Sequence, residues 1–189
     1  MTFDGSKIEI RTQRTPNPNA MKFIVSKTVK TDGKISYTEA EACRHVPLAS
    51  VLLGLANVTQ VHFFDNVITV TQNGASDWQA LGAAVVDRIE TEMPIHNPDF
   101  LDKLDTPKVR VESADPEVNR IEEILDRTIR PGLQADGGDL TVLELDGNIL
   151  SIKYEGACGG CPSSMMGTLQ AIEGILRSEF NPYLEVVAV

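Results

Sequence analysis

The chain has 189 residues, of which 42% are hydrophobic and 23% charged, values that are ordinary for one large or two small globular domains. No apolar run approaches the roughly 20 residues that cross a bilayer, and the first residues resemble neither a signal core nor a transit peptide, so we expect a cytoplasmic protein with no membrane partner. The formal net charge of −10 argues against nucleic acid as a partner, because phosphate-backbone binding depends on clustered Lys and Arg.

The N-terminal part reads as strands followed by helices. Strand-like runs at 8–12 and 21–27 flank a turn-rich segment, and a helical stretch at 47–55 follows. The run VTQVHFFDNVITVTQ predicts a hairpin that turns at Asp65-Asn66. The next helix should be capped by Ser76, with Gln79 three residues on, and should end at Pro94. Its predicted apolar stripe consists of Trp78, Leu81, Val85 and Ile89.

A proline-rich and charged stretch divides the chain. We predict an N-terminal domain at 1–93, a linker at 94–114 with a short strand at 109–111, and a C-terminal domain at 115–189. The C-terminal domain carries 13 acidic and 5 basic side chains, and therefore most of the net charge. Such a domain could attract iron cations or basic partner surfaces, although plain solubility explains the charge equally simply.

The C-terminal domain should alternate helices with a short sheet. Asp115-Pro116 predicts the start of a helix that runs to Pro131-Gly132, and Asp146-Gly147 predicts a hairpin turn. A second helix should end at Asn181-Pro182, before a final strand at 184–189. The predicted fold class is α/β (α+β), with two small domains in which helices pack on a short sheet. The second helix should bury one apolar face, formed by Met165, Leu169, Ile172 and Leu176.

The segment EGACGGCPSS at 155–164 contains two of the three cysteines, Cys158 and Cys161. Two thiols at this spacing can form a redox disulfide, hold zinc or hold an iron-sulfur cluster. Pro162 suits a first helical turn, so both sulfurs should precede a helix N-terminus, which favours thiolates. The surrounding glycines allow the backbone to approach a bulky inorganic core. The late position of this CGGC loop disfavours a thioredoxin-like fold, but zinc and a cluster both stay open.

Counting ligands suggests that the loop is half of a site. Structural zinc and the common clusters need four ligands, whereas one chain offers two close thiols. Cys43 lies in an apolar context and reads as a small buried residue. The three histidines, His45, His62 and His96, show no metal-ligand spacing. Two copies of the chain, each supplying Cys158 and Cys161, would complete four ligands across a two-fold axis. A cluster with only two ligands from each subunit should be easier to release than one held by a single chain, which is typical of a scaffold or carrier.

Three motifs resemble the NifU-like, or Nfu-type, iron-sulfur carriers. They are IRPGLQADGGD at 129–139 and GACGGCPSS at 156–164 in the C-terminal domain, and TPNPNAMKF at 15–23, which is similar to the signature of the accessory domain in that family. The resemblance implies a non-enzymatic protein that binds a [4Fe-4S] cluster, with [2Fe-2S] as an alternative, through Cys158 and Cys161 at a homodimer interface. It also implies an upstream assembly scaffold as donor and apo iron-sulfur proteins as clients.

Two other hypotheses compete with the carrier. One is a dithiol oxidoreductase in which one loop cysteine attacks and the other resolves. The other is a structural dimer stapled by zinc. For residues 134–139, a turn from helix to strand explains the glycines without any contact to a cluster.

Overall fold

The structure is a computed structural model that describes residues 8–102, 115–157 and 162–189, without the side chains of 162–165. It has the mixed α/β class that the sequence predicts, with one sheet in each half of the chain. Among the described residues, no helix is both long and apolar enough to cross a membrane. The predicted strand at 109–111 lies outside the described residues.

The N-terminal domain is a five-stranded antiparallel sheet with two helices on one face. The strand order is β1-β2-β5-β4-β3. The elements are β1 (Ile10–Arg14), β2 (Ala20–Val25), β3 (Lys30–Tyr37), α1 (Pro47–Leu53), β4 (Val58–Asp65), β5 (Val67–Gln72) and α2 (Trp78–Glu92). The predicted hairpin is confirmed as β4 and β5, but no sequence pattern predicted β3. A register shift between Lys30 and Lys34 and a positive φ at Gly33 interrupt its alternation.

Strand alternation gives this sheet two different faces. One face packs against α1 and α2 and contains the fully buried Phe23, Phe63 and Ile68. The opposite face is polar. A row of side chains crosses four strands there, because Lys22 pairs with Thr69, Thr69 with His62, and His62 with Ser36. The residues Lys22, Lys34, His62, Thr69 and Thr71 are buried on this second face, which we call the docking face.

Helix α2 begins one residue later than predicted. Its N-cap is Asp77, whose carboxylate accepts hydrogen bonds from the backbone N–H groups of Gln79 and Ala80. The predicted cap at Ser76 is therefore wrong. Ser76 is held in the preceding turn, where its hydroxyl accepts a hydrogen bond from Asn57 Nδ2 at 2.8 Å. The competing side-chain contact decides which of the two neighbours caps the helix.

The C-terminal domain is a three-stranded sheet covered by helices. Its elements are α3 (Pro116–Thr128), α4 (Arg130–Ala135), β6 (Gly138–Asp146), β7 (Ile149–Gly156), α5 (Pro162–Glu179) and β8 (Glu185–Ala188). Strands β6 and β7 form the predicted hairpin, and β8 adds to β7 in parallel. Asp115 caps α3 as predicted. The prediction that this helix runs to Pro131-Gly132 is wrong, because α3 ends at Thr128. A second helix, α4, begins at Arg130, since Pro131 suits a first helical turn.

Residues 94–102 pack on the N-terminal domain. The Phe100 side chain belongs to its core, and the Lys30 ammonium donates a hydrogen bond to the Phe100 carbonyl at 3.0 Å. Tyr37 donates a hydrogen bond to Asp102 at 2.6 Å. The packed N-terminal unit thus extends to Asp102, beyond the proline where the sequence placed the start of the linker.

Candidate metal centre

The two cysteines of the CGGC loop lie outside the described residues, and the segments on either side of the loop are described. Strand β7 leads into the loop through Gly156 and Ala157, and α5 begins at Pro162 directly after it. Helix α5 has 18 residues, so its N-terminal end carries unpaired N–H groups and a partial positive charge. This electrostatic environment would favour a thiolate and an anionic metal-thiolate group.

The backbone at the end of β7, where the chain enters the loop, is closely packed. Gly156 pairs with Gly138 across the hairpin, and the Ala157 N–H donates to the Gly137 carbonyl at 3.1 Å. Gly156 has a φ of +63°, and a Cβ atom there would lie 2.5 Å from the Gly137 oxygen. The backbone path into the loop therefore requires glycine at this position.

The sequence DGGD at 136–139 has a structural role next to the loop. Gly137 has a φ of +82°, and a Cβ atom there would lie 2.5 Å from Lys22 Cγ. The carboxylate of Asp139 is buried and accepts hydrogen bonds from Gln134 Nε2 at 3.1 Å and from the Leu140 N–H at 2.7 Å. These contacts support the interpretation of this segment as a turn from helix to strand.

A buried charge cluster connects the two domains. Lys34 Nζ donates to the Leu140 carbonyl at 2.8 Å, and it lies 3.1 Å from Asp139 Oδ2 and 3.3 Å from Glu155 Oε2. On the other side of Asp139, Arg130 Nε lies 3.4 Å from Oδ1. Arg130 also pairs with Glu122 at 2.6 Å and with Asp126, so the cluster contains two cations and four carboxylates. The buried carboxylate of Asp139 thus has a cation on each side, as a buried charge requires.

Two residues of the TPNPNAMKF motif contact the C-terminal domain directly. Asn17 Nδ2 donates a hydrogen bond to the carbonyl of Ala157 at 2.9 Å, one residue before Cys158. The Lys22 ammonium donates to the carbonyl of Ala135. No pattern in the sequence singled out either side chain, or Lys34, as part of this region. A lysine alternating with core residues on β2 could have indicated a second covered face, but it looks the same as a solvent-facing lysine.

The third cysteine and the histidines have separate environments. Cys43 is fully buried in the N-terminal core, where its thiol contacts the Ala40 carbonyl at 3.5 Å and burial raises its pKa. His45 pairs with Asp102 at 2.8 Å. His96 Nε2 donates to the Val29 carbonyl at 2.7 Å. His62 Nδ1 shares a hydrogen bond with Ser36 at 2.8 Å.

Within the part of the chain that the structure describes, no group of three or more His, Cys, Asp or Glu side chains could hold a metal ion. Cys158 and Cys161, outside that part, stay the predicted ligands.

Comparison with known proteins bears on both halves of the chain. Residues 10–94 match a family model described as "Scaffold protein Nfu/NifU N terminal", and residues 121–187 match one described as "NifU-like domain". The chain belongs to the NifU-like, Nfu-type family. The resemblance that the three motifs indicated is thereby confirmed.

Curated relatives match across both domains. A human protein named "NFU1 iron-sulfur cluster scaffold homolog, mitochondrial" is 33% identical over 173 residues, which are 89% of this chain and 66% of the relative. "NifU-like protein 4, mitochondrial" from Arabidopsis thaliana is 32% identical over 176 residues, which are 88% of this chain and 61% of the relative. The chain thus spans less than two thirds of the length of these relatives. Their names place those two proteins in mitochondria, and a cytoplasmic location for this chain stays a prediction.

Among solved structures, a NifU-like protein from Saccharomyces cerevisiae, determined by solution NMR, matches 55% of this chain and 92% of its own. The sequence identity is 21% and the TM-score 0.46.

Proposed function

We propose that the chain is a carrier of iron-sulfur clusters rather than an enzyme. It would receive a cluster from an upstream assembly scaffold and pass it to apo-proteins that need one. The membership of both domains in the NifU-like, Nfu-type family carries this proposal. The names of the curated relatives, which include "iron-sulfur cluster scaffold homolog", support it.

Cys158 and Cys161 would be the cluster ligands, and two copies of the chain would share one [4Fe-4S] cluster, with [2Fe-2S] as the alternative. The built base of the loop supports this assignment, because Gly156 and Ala157 fix the entry to the loop and α5 begins directly after it. The burial of Cys43 in the other domain leaves the loop cysteines as the remaining thiols.

Transfer would proceed by ligand exchange. A thiolate of the client replaces a loop thiolate on iron, so that one iron-sulfur bond forms as another breaks and the oxidation state of iron does not change. A cluster with two ligands from each subunit exposes iron to an incoming client more readily than a single-chain cage does. The acidic C-terminal domain would favour clients with basic surfaces around their cysteines.

Anaerobic reconstitution tests the assignment. The protein is purified without oxygen and supplied with iron and sulfide, and then iron, sulfide and native mass are measured. We expect about four iron and four sulfide per dimer. The variants Cys158→Ser and Cys161→Ser should each lose the cluster, whereas Cys43→Ala, which removes the buried thiol, should load like the unmodified chain.

Two outcomes would contradict the carrier. Tightly bound zinc that iron does not replace would favour the stapled dimer, and a monomer with disulfide-exchange turnover and no cluster would favour the oxidoreductase. Incubation of the loaded dimer with an apo-acceptor then separates a carrier from a storage protein, since only a carrier should load the acceptor.

A further inference from the structure

The docking face of the N-terminal sheet is covered by the C-terminal domain. Strands β4 and β5 lie against β7, and both threonines of the face, Thr69 and Thr71, are at most 5% exposed. A sheet with helices on one face ordinarily turns its polar face to water. Because this face is polar, it can also be exposed to water when the domains are apart. Polar interfaces of this kind are typical of domains that can separate.

Contacts across this interface converge on the base of the CGGC loop. Asn17 holds the carbonyl of Ala157, at the start of the loop. Lys22 holds the carbonyl of Ala135, and its stem packs on Gly137. Since the Ala157 N–H donates to the Gly137 carbonyl, the N-terminal domain contacts the residues just before β6 and just after β7, where the chain enters the loop.

Ion pairs between the two domains stabilise the docked arrangement. The C-terminal domain presents the buried carboxylate of Asp139 and the partly buried one of Glu155, and Lys34 lies within 3.3 Å of both. Without Lys34, Arg130 would be the remaining cation near Asp139 among the described residues, and the partly buried Glu155 would lose the cation that lies 3.3 Å from it. A buried charge that loses its partner strongly disfavours the closed arrangement.

We propose that Asn17, Lys22 and Lys34 are positioning residues that dock the N-terminal domain on the base of the cluster loop. The docked state holds the carbonyl of Ala157, one residue before Cys158, and undocking releases it. The effect on the cluster rests on the proposed carrier function, whereas docking itself can be measured on the cluster-free chain.

The test uses the full-length chain and three variants. Lys34→Met removes the charge at the centre of the interface. Asn17→Asp keeps the side-chain oxygen that accepts the Asn19 N–H within the turn, but it replaces the donor to Ala157 with a second acceptor. Lys30→Met is the matched control, because Lys30 is an equally buried lysine on the same strand whose ammonium contacts Phe100 of its own domain.

Backbone NMR relaxation is measured on the cluster-free chain. In the unmodified protein and in Lys30→Met, both domains should have the same rotational correlation time. Lys34→Met should shift the docking equilibrium about a hundredfold toward separate domains, which tumble faster. Asn17→Asp should shift it about tenfold. In both variants the Ala157 amide should exchange its hydrogen faster, while thermal unfolding shows that each domain still folds.

With the cluster loaded, both variants should lose it to an iron chelator several-fold faster than Lys30→Met does. The proposal is overturned if Lys34→Met and Asn17→Asp tumble as single bodies, or if Lys30→Met separates the domains equally. Separation of the domains with an unchanged rate of cluster loss would overturn the positioning role. A chain that takes up no cluster at all would refute the carrier function, and the relaxation data would still decide the docking.

Discussion

His62 is a buried imidazole in the middle of the docking face, and its titration should be visible in the stability of the protein. Burial, reinforced by the charge of Lys34 and opposed by Asp139, lowers the pKa of His62 from 6.5 to about 4. The folded protein therefore keeps His62 neutral at a pH where the unfolded chain protonates it. Burial also lowers the pKa of His96, against the opposing hydrogen bond to Val29.

We expect the free energy of unfolding to fall as the pH falls from 7 to 5. The unfolded state binds more protons than the folded state in the window between pH 6.5 and 4, so protonation favours unfolding there. For His62 alone the loss between pH 7 and pH 5 is about 2 kcal/mol. Denaturant unfolding at a series of pH values measures it.

The variant His62→Gln should retain a hydrogen bond to Ser36 and flatten this pH dependence, with a smaller slope left from His96. His45→Gln provides the control, since His45 lies near the surface with a side chain that is 47% exposed, and it should retain the slope. An unchanged slope in His62→Gln would show that His62 does not carry the effect.

At the scale of elements, local sequence signals located most helices and hairpins. They did not decide which of two adjacent residues caps a helix when both are suitable. Asp146-Gly147 predicted the hairpin of β6 and β7, and Asp115-Pro116 predicted the start of α3, because each signal acts through its own backbone. Ser76 and Asp77 are both good caps, and the contact of Ser76 with Asn57, 19 residues away, assigned the role to Asp77.

The cap assignment can be checked by substitution. Asp77→Ala should reduce the free energy of unfolding by about 1 kcal/mol, because two N–H groups at the start of α2 lose their acceptor. Ser76→Ala should have a smaller effect, since its hydroxyl contacts a solvent-exposed side chain. Thermal or denaturant unfolding measures both, and a larger loss in Ser76→Ala would contradict the assignment.

At the scale of the whole molecule, the described residues form two separate apolar cores joined by a polar interface. One core lies between the five-stranded sheet and its helices, and the other lies in the C-terminal domain. The contacts between them are hydrogen bonds and ion pairs, which stabilise association less than a continuous core does. Each domain should therefore unfold largely on its own.

The single tryptophan makes this separation measurable. Trp78 lies at the start of α2, where its indole donates to the Pro18 carbonyl at 2.8 Å, so its fluorescence reports on the N-terminal domain. Leu150→Ala in the C-terminal core should lower that domain's free energy of unfolding by about 2–5 kcal/mol. We expect circular dichroism to show an early transition and Trp78 fluorescence to change little.

Leu52→Ala, at a fully buried position of the N-terminal core, should give the reverse pattern. If both variants shifted both signals equally, the two domains would be one cooperative unit, contrary to the separation of their cores.

The sequence by itself determined the elements, the fold class and the position of the candidate ligands. Turn dipeptides, caps and apolar periodicity act over a few residues, and the CGGC spacing is visible without a fold. It also indicated the family through three short motifs, which the family models confirm.

Only the tertiary structure decided what covers the polar face of the N-terminal sheet and why the three motifs meet. Lys34 lies 105 and 121 positions before the carboxylates Asp139 and Glu155 that it contacts, and Asn17 reaches the residue that precedes Cys158. Such contacts depend on how two folded domains pack, so no local pattern distinguishes these polar side chains from solvent-exposed ones.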